Sequence, residues 1–256
     1  MSKNFELMQQ AASAREFQST ATVGEAATLP PVNANGFGKS NGQGLDLDRF
    51  AREESLKLVQ RVFLLQASTA PRAVMFAGVE PGNGCSRICA QTAEVLAANI
   101  PGTVCVIDAN LRTPSLPEYF GVTNHRGLTD SLLQDGPVRG FAKQLRPANL
   151  WLLSCGALAV DSPNLLRTEK LQARLVELRQ QFDFILMDVP ALNQYADAAA
   201  VAKLCDGIIM VLEANSTRRE AARKMAESLQ LTKTPILGAV LNKRTFPVPE
   251  SLYHRL

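Results

Sequence analysis

AVMFAGVEPGNGCSR, residues 73–87, decides the fold. Its first six residues, Ala73–Gly78, form an unbroken apolar run of strand length. A strand with no polar face must be covered on both sides, as strands of parallel sheets are. Glu80-Pro81-Gly82-Asn83-Gly84-Cys85-Ser86 follows, and then a helical stretch, Ser86–Asn99, with apolar Ile88, Val95 and Leu96. Gly82 and Gly84 let the backbone curl until its N–H groups converge on phosphate oxygens, and the positive end of the next helix adds to the attraction. Ser86 stands where such a loop places a hydroxyl for Mg²⁺. An ordinary glycine turn between strand and helix accounts for the same residues, so the loop alone leaves both explanations open.

Working outward, the same alternation repeats. Strands are expected at Thr103–Asp108, Leu150–Leu153, Phe184–Asp188, Gly207–Leu212 and Ile236–Leu241. Helices are expected at Thr168–Gln181, Asp197–Leu204 and Thr217–Leu231. Apolar strands separated by helices predict a doubly wound α/β fold with a mainly parallel sheet flanked by helices. Ahead of it, Leu56, Val59 and Phe63 give one apolar face to a helix starting at Asp46 or Asp48 and ending near Leu65. Residues 1–45 read as a flexible tail, with a short helix near Phe5–Arg15: the stretch NANGFGKSNGQG is too poor in apolar residues to offset its ordering entropy. The expected division is a tail over 1–45, one domain over 46–245 and a short tail over 246–256.

Composition excludes several classes. A net charge of +3 makes no electrostatic case for nucleic acid. No apolar run reaches the roughly 18–20 residues that cross a bilayer, and MSKNFELMQQ carries no signal-like apolar core. The chain is therefore expected in the cytoplasm, without direct membrane insertion. The five cysteines (Cys85, Cys89, Cys105, Cys155, Cys205) are odd in number and form no CxxC pair, which predicts reduced thiols and no zinc site.

In parallel α/β sheets ligands bind beyond the carboxyl ends of the strands. There the sequence places Asp108 after the second strand and Asp188 after FILM, the arrangement in which a carboxylate reaches Mg²⁺ directly or through water. Asp108 taken alone is as well explained by a turn or a helix cap.

These motifs resemble the cytoplasmic domain of bacterial tyrosine kinases (BY-kinases), a branch of the MinD/ParA class of P-loop proteins. VEPGNGCSR at 79–87 is similar to that family's Walker A loop, VCVIDANLRTPSLP at 104–117 to its Walker A′ segment, and FDFILMDVP at 182–190 to its Walker B segment. The resemblance implies ATP or ADP with Mg²⁺ as ligands. It implies nucleotide contacts from Pro81, Gly82, Asn83, Gly84, Cys85, Ser86, Arg87 and Asn242, metal contacts from Ser86, Asp108 and Asp188, and catalytic roles for Asp108 and Arg112. Asp197 matches a further family position. The resemblance also implies a homo-oligomer, assembled through a helix containing Glu53, Glu54, Leu58 and Arg61. A transmembrane polysaccharide chain-length regulator would be the partner, recruiting the chain to the inner membrane.

The departures bear on activity. Cys85 stands where the family has the phosphate-gripping lysine, and a hydrogen bond to a charged group is worth about 1.5–3 kcal/mol, roughly 10- to 100-fold in affinity. Asn110 replaces a second carboxylate, Arg87 replaces a hydroxyl residue, and Phe246–Leu256 holds one tyrosine, Tyr253, in place of a cluster. The resemblance thus leaves two main expectations: an exopolysaccharide or capsule regulator with weakened or lost autokinase activity, or an active autokinase in which another cation such as Arg87 replaces the lysine. A MinD/ParA-type positioning ATPase is a third, disfavoured by Glu80 at the position of that group's signature lysine.

Overall fold

The computed structural model describes residues 44–65, 70–158, 162–166, 169–193 and 197–244. The expectations for residues 1–43, for 246–256 and for Tyr253 lie outside the described residues.

Seven strands form one sheet: β1 (Ala73–Gly78), β2 (Val104–Asp108), β3 (Lys143–Gln144), β4 (Leu150–Leu153), β5 (Phe184–Val189), β6 (Gly207–Glu213) and β7 (Ile236–Asn242). Their order is β3-β4-β2-β5-β1-β6-β7, parallel throughout except for the edge strand β3. The helices are α1 (Gly44–Val59, continued by a π-helical turn Gln60–Leu64), α2 (Cys85–Asn99), α3 (Leu116–Tyr119), α4 (Leu128–Leu133), α5 (Ser162–Leu165), α6 (Glu169–Gln181), α7 (Asp197–Ala202) and α8 (Arg219–Gln230). The expected doubly wound α/β architecture is therefore present. The antiparallel edge strand and the short helices α3, α4 and α5 were not expected from periodicity.

The alternation of side chains along each strand builds two apolar layers. On one face Met75, Ile107 and Met187 pack with Leu171, Leu175 and Leu178 of α6 and Met225 and Leu229 of α8. On the other, Val74, Phe76, Val106 and Leu186 pack with Val59 and Phe63 of the first helix and Ala93 and Leu96 of α2. Phe63 also meets Phe184 edge to face, with ring centroids 5.7 Å apart. The first helix thus spends its apolar face on its own domain and leaves Glu53, Glu54 and Arg61 exposed.

A charge lock closes the amino end of the sheet. Arg179 Nη2 donates to Asp206 Oδ1 at 2.7 Å, and the backbone N–H groups of Arg72 and Ala73 both donate to Asp206 Oδ2 at 2.8 Å. The Arg72 guanidinium reaches the carbonyl oxygens of Arg179, Phe182 and Asp183. The carboxyl end, where ligands bind in such sheets, is left to the loops after β1, β2, β5 and β6.

Candidate nucleotide-binding site

The loop after β1 is shaped by its own side chains. Asn83 is only 2 % exposed. Its Oδ1 accepts the Glu80 N–H at 2.8 Å, and its own N–H donates to the Glu80 carbonyl at 3.4 Å, so Glu80–Asn83 closes as a tight turn. Gly82 and Gly84 have φ of 83° and 80°, in the left-handed region where glycine is favoured. A Cβ on Gly84 would also run into the Asn242 side chain. Asn242 holds the loop from the end of β7, with Nδ2 donating to the Asn83 carbonyl at 2.9 Å. Beyond Gly84, α2 starts directly at Cys85 with no side-chain cap. The first-turn N–H groups of a helix have no acceptor within it, so those of Cys85 and Ser86 point to where an anion would sit at its positive end.

Asp108 and Asp188 lie opposite this loop. They are register partners on β2 and β5, and both are fully buried. Asp108 is engaged: the N–H of Asn110 donates to Oδ1 at 3.2 Å, and those of Ser115 and Leu116 donate to Oδ2 at 3.1 Å. It therefore caps α3 from eight residues upstream. Burial nevertheless raises its pKa to about 6, against the lowering effect of those three N–H groups. Neither oxygen of Asp188 has a partner in hydrogen-bond geometry. Burial first, and then the charge of Asp108, push its pKa up to about 8, while the nearby Ser86 hydroxyl and Cys85 thiol pull the other way.

Cys85 keeps some exposed surface, but its thiol is pushed well above the usual range, by burial and then by the negative charge of Asp188. Cys89, one turn on, is raised for the same reasons. A nucleophilic or redox-active cysteine needs a stabilised thiolate, and this environment does the opposite. All five cysteines are free thiols.

Two buried acids beside a glycine loop and a helix start fit a nucleoside phosphate with Mg²⁺. Ser86, Asp188 and Asp108, whose two oxygens already accept backbone N–H groups, are the residues that would hold the metal. Among the described residues no cluster of three or more His, Cys, Asp or Glu forms a metal cage. Mg²⁺ needs none, since one or two carboxylates with phosphate and water oxygens suffice. The misfit is Cys85, which offers a neutral thiol where a cation is wanted.

The remaining expected residues divide. Asn110 is taken up by its own turn: Oδ1 accepts the Thr113 N–H at 3.2 Å and Nδ2 donates to Thr113 Oγ1 at 3.1 Å. Arg112 and Arg87 are exposed. The Tyr119 hydroxyl of α3 donates to Glu94 at 3.1 Å. Pro81 is exposed on the loop rim. Sequence reasoning missed Glu213 and Lys243. Glu213 Oε2 receives Asn83 Nδ2 at 3.4 Å and Lys243 Nζ at 3.1 Å. A cavity of about 660 Å³ lies beside this pair rather than over Asp188, lined by Leu212, Asn215, Thr217, Arg219, Leu241 and Arg244 among others.

Comparison with known proteins gives the same lineage. The family described as cellulose biosynthesis protein BcsQ matches residues 72–230. Tyrosine-protein kinase YwqD of Bacillus subtilis is 29% identical over 171 residues, covering 67% of this chain and 72% of YwqD. Succinoglycan biosynthesis transport protein ExoP of Rhizobium meliloti is 31% identical over 180 residues, covering 69% of this chain but only 23% of ExoP. The crystal structure of the VpsO kinase domain superimposes with a TM-score of 0.72 at 23% identity, covering 80% of this chain and 100% of that domain. ParA-family and MinD ATPases share the fold.

Proposed function

The chain belongs to the cellulose biosynthesis protein BcsQ family, and on that premise we propose that it is a P-loop nucleotide-binding regulator of exopolysaccharide or capsule synthesis, with weak or no tyrosine autokinase activity. The observation that carries this is the placement of a fully buried Asp188 beside a neutral thiol at Cys85. The acid half of a Mg·nucleotide site is kept, and the cation half of the loop is not.

In this mechanism the N–H groups of Cys85 and Ser86 orient the phosphates. Gly82 and Gly84 allow their close approach, and Asn242 fixes the loop from β7. Ser86 and Asp188 would hold the metal, and Asp108 keeps α3 docked while adding negative charge on that side. Bound Mg²⁺ would neutralise phosphate charge and so supply the electrostatic part of phosphoryl transfer. Charge developing in the transition state finds no amine at position 85, which is where preorganised electrostatics contributes most. Binding is thereby less impaired than transfer.

The relatives include a succinoglycan biosynthesis transport protein, which supports the reading, and we infer a membrane-bound partner that recruits the chain. Among the described residues no helix is long and apolar enough to cross a membrane. Incubation of the purified protein with γ-labelled ATP, with and without that partner, tests the proposal. Nucleotide retained on the protein with little phosphotyrosine is expected. Abundant label on Tyr253 would make it an active autokinase.

A further inference from the structure

The cation missing from position 85 has a candidate in space that the sequence does not suggest. Lys243 follows β7 directly, with φ of 55°, a left-handed conformation that side-chain-bearing residues adopt at a cost. Its Nζ pairs with Glu213 Oε2 at 3.1 Å, and the same oxygen receives Asn83 Nδ2 of the loop at 3.4 Å. The preceding residue, Asn242, donates to the Asn83 carbonyl at 2.9 Å and abuts Gly84. The turn that carries Lys243 is thus fastened to the loop at two points. Glu213 alone would put a carboxylate against a loop that must receive an anion; Lys243 cancels it. The Lys243 side chain remains 48% exposed, so it is free to leave a half-solvated pair for a stronger anion.

We propose that Lys243 supplies the positive charge of this phosphate loop in place of Cys85, swinging from Glu213 to the phosphates of a bound nucleoside polyphosphate. This rests on the nucleotide-binding reading above. A lysine donated from the end of the last strand contacts phosphate from the rim of the loop rather than from its base. It supports binding more than transfer.

Calorimetric titration with Mg·ATP tests the assignment on the full chain, with melting curves to confirm folding. Lys243→Met is expected to weaken binding roughly 10- to 100-fold, as loss of a charge-assisted contact does, and Lys243→Arg to retain most of it. In a Cys85→Lys background, Lys243→Met should change affinity little. Wild-type affinity in Lys243→Met would overturn the proposal. So would wild-type affinity in a Glu213→Gln/Lys243→Met double variant, because Lys243 would then only be neutralising Glu213. If Cys85→Lys binds Mg·ATP and the wild type does not, the assignment of Lys243 falls while the loop's identity stands. If neither binds, both fall.

Discussion

Asp108 and Asp188 face each other across paired strands, yet only Asp108 accepts backbone hydrogen bonds. Three N–H groups satisfy Asp108, whereas Asp188, fully buried, has only the Ser86 hydroxyl and the Cys85 thiol beside it. A protein gains nothing in stability from a buried unpaired carboxylate, so the pair is best understood as a site that stability is spent on.

This asymmetry sets a pH dependence. Both pKa values are raised in the folded state from the ordinary 3.8, to about 6 for Asp108 and about 8 for Asp188. The folded chain therefore binds more protons than the unfolded chain between about pH 4 and pH 8, and stability must fall as pH rises through that window. Denaturant titrations of the nucleotide-free protein should show it less stable at pH 8 than at pH 5. Asp188→Asn should flatten the dependence. A wild-type stability that rises from pH 5 to 8 would mean that Asp188 is ionised and paired in solution.

Position 85 offers a complementary test. An amine there would stand beside Asp188 and hold it ionised, since an opposite charge within a few ångströms favours the charged form. Cys85→Lys is expected to raise the melting temperature of the nucleotide-free protein at pH 8 relative to Cys85→Ser, and to do so less at pH 5. Equal melting temperatures of the two variants at pH 8 would place the thiol away from the carboxylate.

At the other end of the sheet, Asp206 should matter for stability alone. It accepts the N–H groups of Arg72 and Ala73 and pairs with Arg179. Asp206→Ala is expected to cost about 1.5–3 kcal/mol, the range for hydrogen bonds to a charged group, with Mg·ATP affinity unchanged in calorimetry. A large loss of affinity in a variant that still folds would link the two ends of the sheet.

The alternation of apolar strands and helices was legible because each strand is buried on both faces, as Ala73–Gly78 shows. Its edges were not. Lys143 and Gln144 are both exposed, and no apolar pattern marks a two-residue antiparallel strand. At the site, the loop and the two acids could be found because each sits directly after an apolar run. The cap that Asp108 makes on α3 depends on Ser115 and Leu116, too far along the chain for local rules. The link of Lys243 to Asn83 runs through Glu213, thirty residues before it, and exists only once β6 and β7 pair. Asn110 stands where the resembled family has a second carboxylate; the structure adds a local role for it, holding Thr113.

Assembly through the first helix remains to be tested with its surface rather than by deletion. Removing it would expose Val74, Phe76 and Leu186, against which Val59 and Phe63 pack. Glu54→Arg with Arg61→Glu alters exposed charge only, so the melting temperature should hold within a few degrees. In sedimentation with Mg·ATP and a membrane partner, the wild type is expected to form larger species and the variant to stay small. Identical profiles would exclude this face as the contact.

The most direct measurement is the affinity for Mg·ATP of wild type, Cys85→Ser and Cys85→Lys, taken side by side by calorimetry. Weak binding by the first two is expected, with a gain of at least about tenfold in the third, the lower end for restoring a charge-assisted hydrogen bond. A Cys85→Lys protein that binds Mg·ATP no better than wild type would contradict this: either the loop between β1 and α2 does not cradle phosphate, or Lys243 already supplies the whole contact, and Lys243→Met separates the two.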